Sequence, residues 1–171
     1  MVAGPDLRDV AAEVDAVVAA HPGSRCLTGA EARVDATLDG LDGAPVAHLA
    51  AHGHHERENV LFSCLHLADG PLMAYDIQRL ATPPRQVTLS ACDVGRSVVR
   101  PGDEILGFTA ALLYAGTATV VSSVALVTHA GAAAVMARYH RAVAAGAAPA
   151  RALADAAAAD PVAPFVCFGA G

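Results

Sequence analysis

Apolar residues recur at helical spacing in five segments of this 171-residue chain, and short apolar runs lie between them. The helical segments are residues 6–20, 30–41, 104–114, 130–145 and 148–159. Asp6 is suited to be the N-cap of the first helix, and Pro22-Gly23 would end it. The chain is therefore predicted to be rich in amphipathic or buried helices.

Strands are predicted where short runs are apolar, often β-branched, and bounded by turn residues. The strongest are residues 46–51, 86–89, 118–124 and 165–168, and residues 25–28 form a briefer extended segment. Strands that alternate with helices imply right-handed crossovers and a mostly parallel sheet covered on both faces. The pattern predicts a single α/β domain spanning residues 1–171.

One segment departs from this alternation. Apolar residues 61–67 and 72–75 flank Ala68-Asp69-Gly70, and Asp-Gly between apolar runs is a hairpin signal. We expect a small antiparallel excursion beside the main sheet. A short helix over residues 76–80 follows it and ends before Pro83-Pro84.

Two predicted strands are followed by candidate catalytic residues. His52 and Gly53 follow the first of these strands, and Cys92 follows the second through Ser90 and Ala91. In open α/β sheets the ligand crevice lies beyond the carboxyl ends of the strands. If the two strands are parallel neighbours, His52 and Cys92 meet at one rim, where an imidazole can take the proton of a thiol nucleophile.

Each of these residues also has a structural interpretation. Cys92 in isolation could be a small buried hydrophobe, and His52 a hydrogen-bonded core histidine. For Cys26, Cys64 and Cys167 the structural role is the better prediction, and His48 is also interpreted as structural because it alternates with the buried positions of its strand. For Cys92 and His52 these structural roles are the alternatives to a catalytic role.

Composition and charge exclude several classes of function. The formal net charge is −6, and the 11 basic residues, all arginine, are scattered, so no nucleic-acid partner is expected. The four cysteines contain no CxxC pair, which argues against a zinc ribbon, a redox motif or a disulfide framework. The start lacks a secretory signal, and arginines interrupt the alanine-rich runs before they could span a bilayer. A cytoplasmic protein without a membrane partner is predicted.

The motifs HLAAHG, LADG, LSACDVG, GDEILGF, TVVSSV and FVCFGAG occur in that order along almost the whole chain. In sequence and order they resemble a CHAT domain, a bacterial branch of the caspase-like cysteine peptidases related to metacaspases and separase. The resemblance implies a caspase-like three-layer α/β sandwich, with a mostly parallel central sheet flanked by helices. It implies no cofactor and no metal.

The resemblance also assigns roles to residues. The histidine of the HG pair and the cysteine of the SAC segment form the family's catalytic dyad, which here corresponds to His52 and Cys92. Backbone amides of that glycine and cysteine, here Gly53 and Cys92, hold the oxyanion. The implied function is a cysteine endopeptidase that cleaves peptide bonds in specific protein substrates.

Two departures from the family pattern bear on this function. The family has a first strand inside the sheet, ahead of the segment that here begins MVAGPDL, and only its tail is expected in this chain. The chain is cut short, or its start codon is assigned too late, or another segment fills the gap. A missing strand inside the sheet would leave buried backbone N–H and C=O groups of its neighbours unpaired, at a cost of roughly 1–3 kcal/mol each.

The second departure concerns substrate binding. Many members have an acidic residue after the third strand, and here His129 stands in its place. Asp103 and Glu104, in the loop past Cys92, are suited to attract a basic substrate side chain, and equally to cap and stabilise the helix that begins there. These three residues are the candidates for substrate binding.

Two further functions stay open. A catalytically silent or latent caspase-like module would act by interaction, regulated by a sensor or repeat-domain partner on a separate chain. A zinc hydrolase would use His52, His54, His55 and Glu56, whose donors suit zinc, but Arg57 stands where the metallo-β-lactamase run has another histidine. Residues 54–58 are therefore interpreted as a solvated loop.

Overall fold

A computed structural model describes residues 1–7, 10–54, 56, 59–90, 103–124, 129–158 and 164–171, with backbone alone at 60, 103–106, 129 and 130. Nine strands are present among these residues. They are β1 (Val2–Ala3), β2 (Leu27–Thr28), β3 (Val46–Ala50), β4 (Gly53–His54), β5 (Cys64–Leu67), β6 (Gly70–Met73), β7 (Gln86–Ser90), β8 (Thr119–Ser123) and β9 (Phe165–Gly169).

Five α-helices lie in the same described part of the chain. They are α1 (Ala11–Ala20), α2 (Val34–Leu41), α3 (Asp103–Ala115), α4 (His129–Ala144) and α5 (Pro149–Ala158). Short 3-10 helices cover Gly29–Glu31, Val60–Phe62 and Ala74–Arg79. All of the principal predicted strands and helices are thereby found, with boundaries that differ by a few residues.

The central sheet has six strands in the order β2-β1-β3-β7-β8-β9. Every neighbouring pair is parallel except β8 and β9, which are antiparallel. The predicted mostly parallel α/β sheet is confirmed. Because β3 and β7 are parallel neighbours in register from Val46↔Gln86 to Ala50↔Ser90, their carboxyl ends lie at the same edge.

Alternate residues of the central strands point to opposite faces of the sheet. Leu49, Val87 and Val120 belong to the core beneath α2 and α3, whereas Val121 packs with α4 and α5. His48 and Gln86 also reach side chains of α4. Helices thus cover both faces, as the resemblance implied, and the face beneath α1 and α4 carries polar side chains in its interior.

The predicted hairpin is present as a small second sheet. β5 and β6 pair antiparallel from Cys64↔Met73 to Leu67↔Gly70, and β4 adds a third strand on the other side of β5. Asp69, in the turn, accepts hydrogen bonds from the Val34 amide at 2.9 Å and from Arg33 Nε at 3.3 Å. The hairpin turn therefore also caps the start of α2.

Two predictions about the first helices need correction. Asp6 is not the N-cap of the first helix, since α1 begins only at Ala11 and Asp6 has a left-handed backbone with φ of 60°. The chain is still held extended just before, because the Gly4 amide bonds to the Ala50 carbonyl at 2.7 Å. The predicted helix over residues 30–41 is also divided, into the 3-10 turn at Gly29–Glu31 and α2.

The predicted remnant of the first strand lies inside the sheet. β1 lies between β2 and β3, and it pairs with only two residues of β3, Leu49 and Ala50. A cleft of about 350 Å³ adjoins the remaining part of β3 and is lined by Met1, His21 and Arg25 among others. Among the described residues, β1 therefore lies only beside the carboxyl end of β3, and the cleft lies beside Val46 and His48.

Candidate active site

The candidate site lies at the edge where β3 and β7 end. Ala50 and Ser90 are paired, and the Ala51 amide extends the ladder by donating to the Ser90 carbonyl at 3.3 Å. His52 lies two residues beyond Ala50, and Cys92 two residues beyond Ser90 in the sequence. Cys92 belongs to residues 91–102, which lie outside the described part of the chain, so its place beside His52 stays a prediction.

The His52 side chain is half-buried and has a partner from the start of the chain. Its Nε2 lies 3.4 Å from the carbonyl oxygen of Asp6, a long and weak hydrogen bond. A carbonyl only accepts, so this contact requires Nε2 to carry the proton. In the neutral ring Nδ1 is then the unprotonated nitrogen, which is the form that a general base needs.

The backbone of Gly53 is oriented by the small sheet. The His66 amide donates to the His52 carbonyl at 2.8 Å, and Gly53 is paired with Leu65. Hydrogen-bonded and non-hydrogen-bonded pairs alternate in an antiparallel ladder, so the Gly53 amide points away from β5. This amide is accordingly available to a group outside the ladder, as an oxyanion donor must be.

That the first residues contribute to this site was not expected from their sequence. Gly4 lies so close to the rim that a Cβ atom there would be 2.6 Å from the His66 carbonyl oxygen and 3.0 Å from the Ala51 Cβ. This close approach brings the Asp6 carbonyl to His52. The only sequence signal was Gly4-Pro5 directly after an apolar pair, a pattern that indicates a turn.

The candidate substrate residues are only partly described. Asp103 is the first residue of α3 and His129 is the first residue of α4. Both helices follow central strands, α3 after β7 and α4 after β8, so their starts lie toward the carboxyl edge of the sheet. The side chains of Asp103, Glu104 and His129 lie outside the described part, and their roles in binding or capping stay predictions.

Three other cysteines are free thiols, Cys26 and Cys167 half-buried and Cys64 buried. Burial raises the pKa of the Cys64 thiol, and it raises the pKa of Cys167 as well. A raised pKa disfavours the nucleophilic thiolate. The environment of these two cysteines agrees with the structural role predicted for them.

No three metal-ligating side chains come together in the described part of the chain. Of the four candidate zinc donors, His52 and Glu56 are half-buried, His54 is exposed on β4, and His55 is outside the described residues. Likewise, among the helices described here, none combines the length and the apolar character needed to cross a bilayer.

The family model of the CHAT domain matches residues 1–159. The chain therefore belongs to the CHAT domain family, which is caspase-like and related to peptidases. A search of curated proteins finds no match. Family membership agrees with the six-stranded, mostly parallel sheet and its flanking helices.

Proposed function

We propose that the protein is a cysteine endopeptidase that cleaves peptide bonds in specific protein substrates through a His52-Cys92 dyad. The observation that supports this most is the register of β3 and β7, which pairs Ala50 with Ser90. In the sequence His52 and Cys92 each lie two residues beyond this rung, which supports the proposal that they meet at one rim. The match to a peptidase-related family supports the same chemistry.

In the proposed reaction His52 Nδ1 takes the proton of the Cys92 thiol, and the thiolate Sγ attacks the scissile carbonyl carbon. Amides of Gly53 and Cys92 stabilise the oxyanion, and one such donor typically contributes about 10²–10³ in rate. The imidazolium then protonates the leaving amine as the C–N bond breaks and a thioester remains. Water, deprotonated by His52, hydrolyses the thioester and restores the free thiol.

The proposed substrate is a polypeptide, and the reaction needs no cofactor. Asp103, Glu104 and His129 are the residues we propose for substrate binding, because their helices begin toward the same edge of the sheet. Both acids would favour a basic substrate side chain, and a neutral His129 would not add to that preference. A sensor or repeat-domain partner on a separate chain is the proposed source of regulation.

The proposal is tested by mapping new N-termini after the purified chain is incubated with a mixture of unfolded proteins. The wild type should generate new termini that share a residue preference before the cut. Cys92→Ala and His52→Ala should each abolish them, whereas Cys26→Ala, at a half-buried cysteine away from the rim, should not. New termini that persist in both dyad variants would contradict the proposal.

A latent interaction module is the second candidate, and one observation favours it. β1 covers only Leu49 and Ala50 of the five residues in β3, so part of the sheet beside the site strand lacks a β1 neighbour among the described residues. A free chain that forms no new termini and has an unreactive Cys92 would favour this candidate over the peptidase.

A further inference from the structure

Four polar side chains form an unbroken series beneath α1 and α4. Glu13 Oε1 of α1 lies 3.0 Å from His48 Nε2 of β3. His48 Nδ1 lies 2.9 Å from His140 Nε2 of α4, and His140 Nδ1 lies 3.0 Å from Nε2 of His21, the residue that follows α1. The series therefore links both ends of α1 to the central strand β3 and to α4.

The series runs from the interior to the surface. Glu13, His48 and His140 are 4%, 2% and 0% exposed. His21 is half-buried and is the most exposed of the three histidines that line the cleft of about 350 Å³ beside β1, since His48 and His140 contribute buried parts of its wall. Protons can thus be exchanged with solvent at His21, while the carboxyl group at the other end has no direct access.

The contacts fix the protons of the series when Glu13 is ionised and the imidazoles are neutral. The carboxylate oxygen lies 3.0 Å from His48 Nε2 in a contact that is not aligned as a hydrogen bond, and an unprotonated ring nitrogen there would repel it, so Nε2 carries the proton and Nδ1 accepts. His140 must then donate from Nε2 and accept at Nδ1, and His21 must donate from Nε2. All three imidazoles are the Nε2–H tautomer, and His21 Nδ1 is the one acceptor left at the surface end.

We propose that Glu13, His48, His140 and His21 form a relay that takes up one proton from solvent and stores it on Glu13. A solvent acid protonates His21 Nδ1, and His21 Nε2–H passes its proton to His140 Nδ1. His140 Nε2–H passes its proton to His48 Nδ1, and the Glu13 carboxylate turns into line with His48 Nε2–H and takes its proton. Each imidazole gains one N–H bond and loses one, so all end neutral as the Nδ1–H tautomer.

The surroundings oppose a positive charge within the series. Burial, with smaller effects of the neighbouring His48 and His21, lowers the pKa of His140 to about 2. Burial also lowers the pKa of His21, with smaller effects of the Met1 amino group and His48. Tyr139, whose ring contacts His140 edge-on, is kept neutral because burial raises its pKa.

Two further charged groups among the described residues lie at the cleft. The Met1 amino group and Arg25 line the same cleft as His21, and both are positive, so they too disfavour a resting imidazolium. A proton that enters at His21 is therefore most stable on Glu13, where it removes a buried negative charge and adds no positive one.

Proton uptake would weaken the attachment of α1. The contact between the Glu13 carboxylate and His48 joins α1 to β3, and a neutral carboxyl loses the charge-assisted part of that contact. The relay is thus a pH-sensitive link between α1, β3 and α4. It does not depend on Cys92 or on peptidase activity.

The relay is tested by nuclear magnetic resonance of the histidine ring nitrogens in the complete chain, recorded across pH. Near pH 7 we expect the Nε2–H tautomer at His21, His48 and His140. On acidification all three should change to Nδ1–H with one midpoint, which the Glu13 carboxyl carbon shares. Mixed tautomers near pH 7, separate midpoints, an imidazolium signal, or unfolding before any joint change would each overturn the proposal.

A matched pair of variants on α1 tests the role of Glu13. Glu13→Gln keeps an oxygen that accepts from His48 Nε2–H but cannot store the proton, so the joint transition should disappear and the Nε2–H tautomers should persist. Asp15→Asn removes the same charge from an exposed position two residues away and should leave the transition unchanged. A transition retained in Glu13→Gln would contradict the relay.

Discussion

His52 Nε2 lies 3.4 Å from the carbonyl oxygen of Asp6, so the candidate general base is oriented by the turn that follows the first strand. Asp6 contributes through its backbone and has a left-handed conformation with φ of 60°. The position of its carbonyl depends on how Gly4 docks against the rim, since Gly4 bonds to Ala50 at 2.7 Å. The first residues therefore belong to the candidate site.

Gly4→Ala should destabilise the protein. The added Cβ would meet the His66 carbonyl oxygen at 2.6 Å, and that oxygen is backbone, so strand β5 or the turn must move. We expect a loss of about 1–3 kcal/mol in the free energy of unfolding, measured by urea denaturation. The His52 ring resonances should shift as well, because the Asp6 carbonyl moves with Gly4.

Gly40→Ala is the matched control for this change. Gly40 lies within α2, and a Cβ there would approach only the Arg25 side chain, at 4.0 Å. Alanine in a helix interior is more favourable than glycine by about 0.5–1 kcal/mol, so this variant should be slightly more stable than the wild type. Equal effects of the two substitutions would contradict a steric role for Gly4.

Tyr139→Phe should leave a buried amide without its partner. Gln86 Nε2 donates to the Tyr139 hydroxyl at 2.6 Å, and both residues are buried between β7 and α4. Loss of one partner from such a pair costs about 1–3 kcal/mol, which calorimetric or denaturant unfolding can measure.

The same pair allows a double-mutant test. Gln86→Leu combined with Tyr139→Phe removes both polar groups and leaves neither unpaired. The free energy of unfolding of the double variant should fall by less than the sum of the two single losses. Substitutions at two residues that share a hydrogen bond do not have additive effects. Simple additivity would show that the bond at 2.6 Å contributes nothing to stability.

The stability of the protein should fall as the pH is lowered through the range in which free histidine titrates. Burial lowers the pKa of His140 from 6.5 to about 2 in the folded state, so between these values the unfolded chain holds one more proton at this residue. The contribution of His140 to stability therefore rises with pH across this window. One proton corresponds to a slope of about 1.4 kcal/mol per pH unit.

His140→Gln tests this slope, because glutamine still carries one donor and one acceptor for His48 and His21 but does not titrate. Urea denaturation between pH 5 and pH 7 should show a shallower pH dependence for this variant. His66→Gln, at an exposed side chain, should keep the wild-type slope. Identical slopes in all three proteins would show that His140 binds its proton equally well in the folded and unfolded states, which contradicts the lowered pKa.

The fold was predictable where local signals agreed with the tertiary structure. Short apolar runs became β3, β7, β8 and β9, and the Asp-Gly pair became the turn between β5 and β6. The expectation that His52 and Cys92 follow adjacent strands rested on the order of these runs. The parallel pairing of β3 with β7 confirms that the two strands are adjacent. A crossover connection allows parallel strands to lie side by side in this way.

The features that were missed depend on contacts between distant segments. Asp6 resembled a helix cap by its residue type, but pairing of β1 with β3 holds the chain extended past Ala3, so α1 starts later. The contacts from Glu13 to His48 and His140 join three elements separated by many residues, and no spacing in the sequence marks them. The alternation of β3 predicts that His48 is buried, which it is, but its partners cannot be derived from the sequence.

The most direct test of the proposed dyad is the rate at which an iodoacetamide probe alkylates Cys92 across pH, with the modified sites identified by mass spectrometry. Cys26, Cys64 and Cys167 serve as references in the same molecule. A thiol with an ordinary pKa near 8.5 is only about 3% ionised at pH 7, so a lowered pKa raises the thiolate fraction by about 10-fold or more.

The proposed dyad predicts that Cys92 reacts about 10-fold or more faster than the reference cysteines near pH 7. It also predicts that His52→Ala slows the reaction, whereas His54→Ala, at an exposed residue of β4, does not. A Cys92 that reacts like the other thiols of the folded protein, or at the same rate with and without His52, would contradict the dyad.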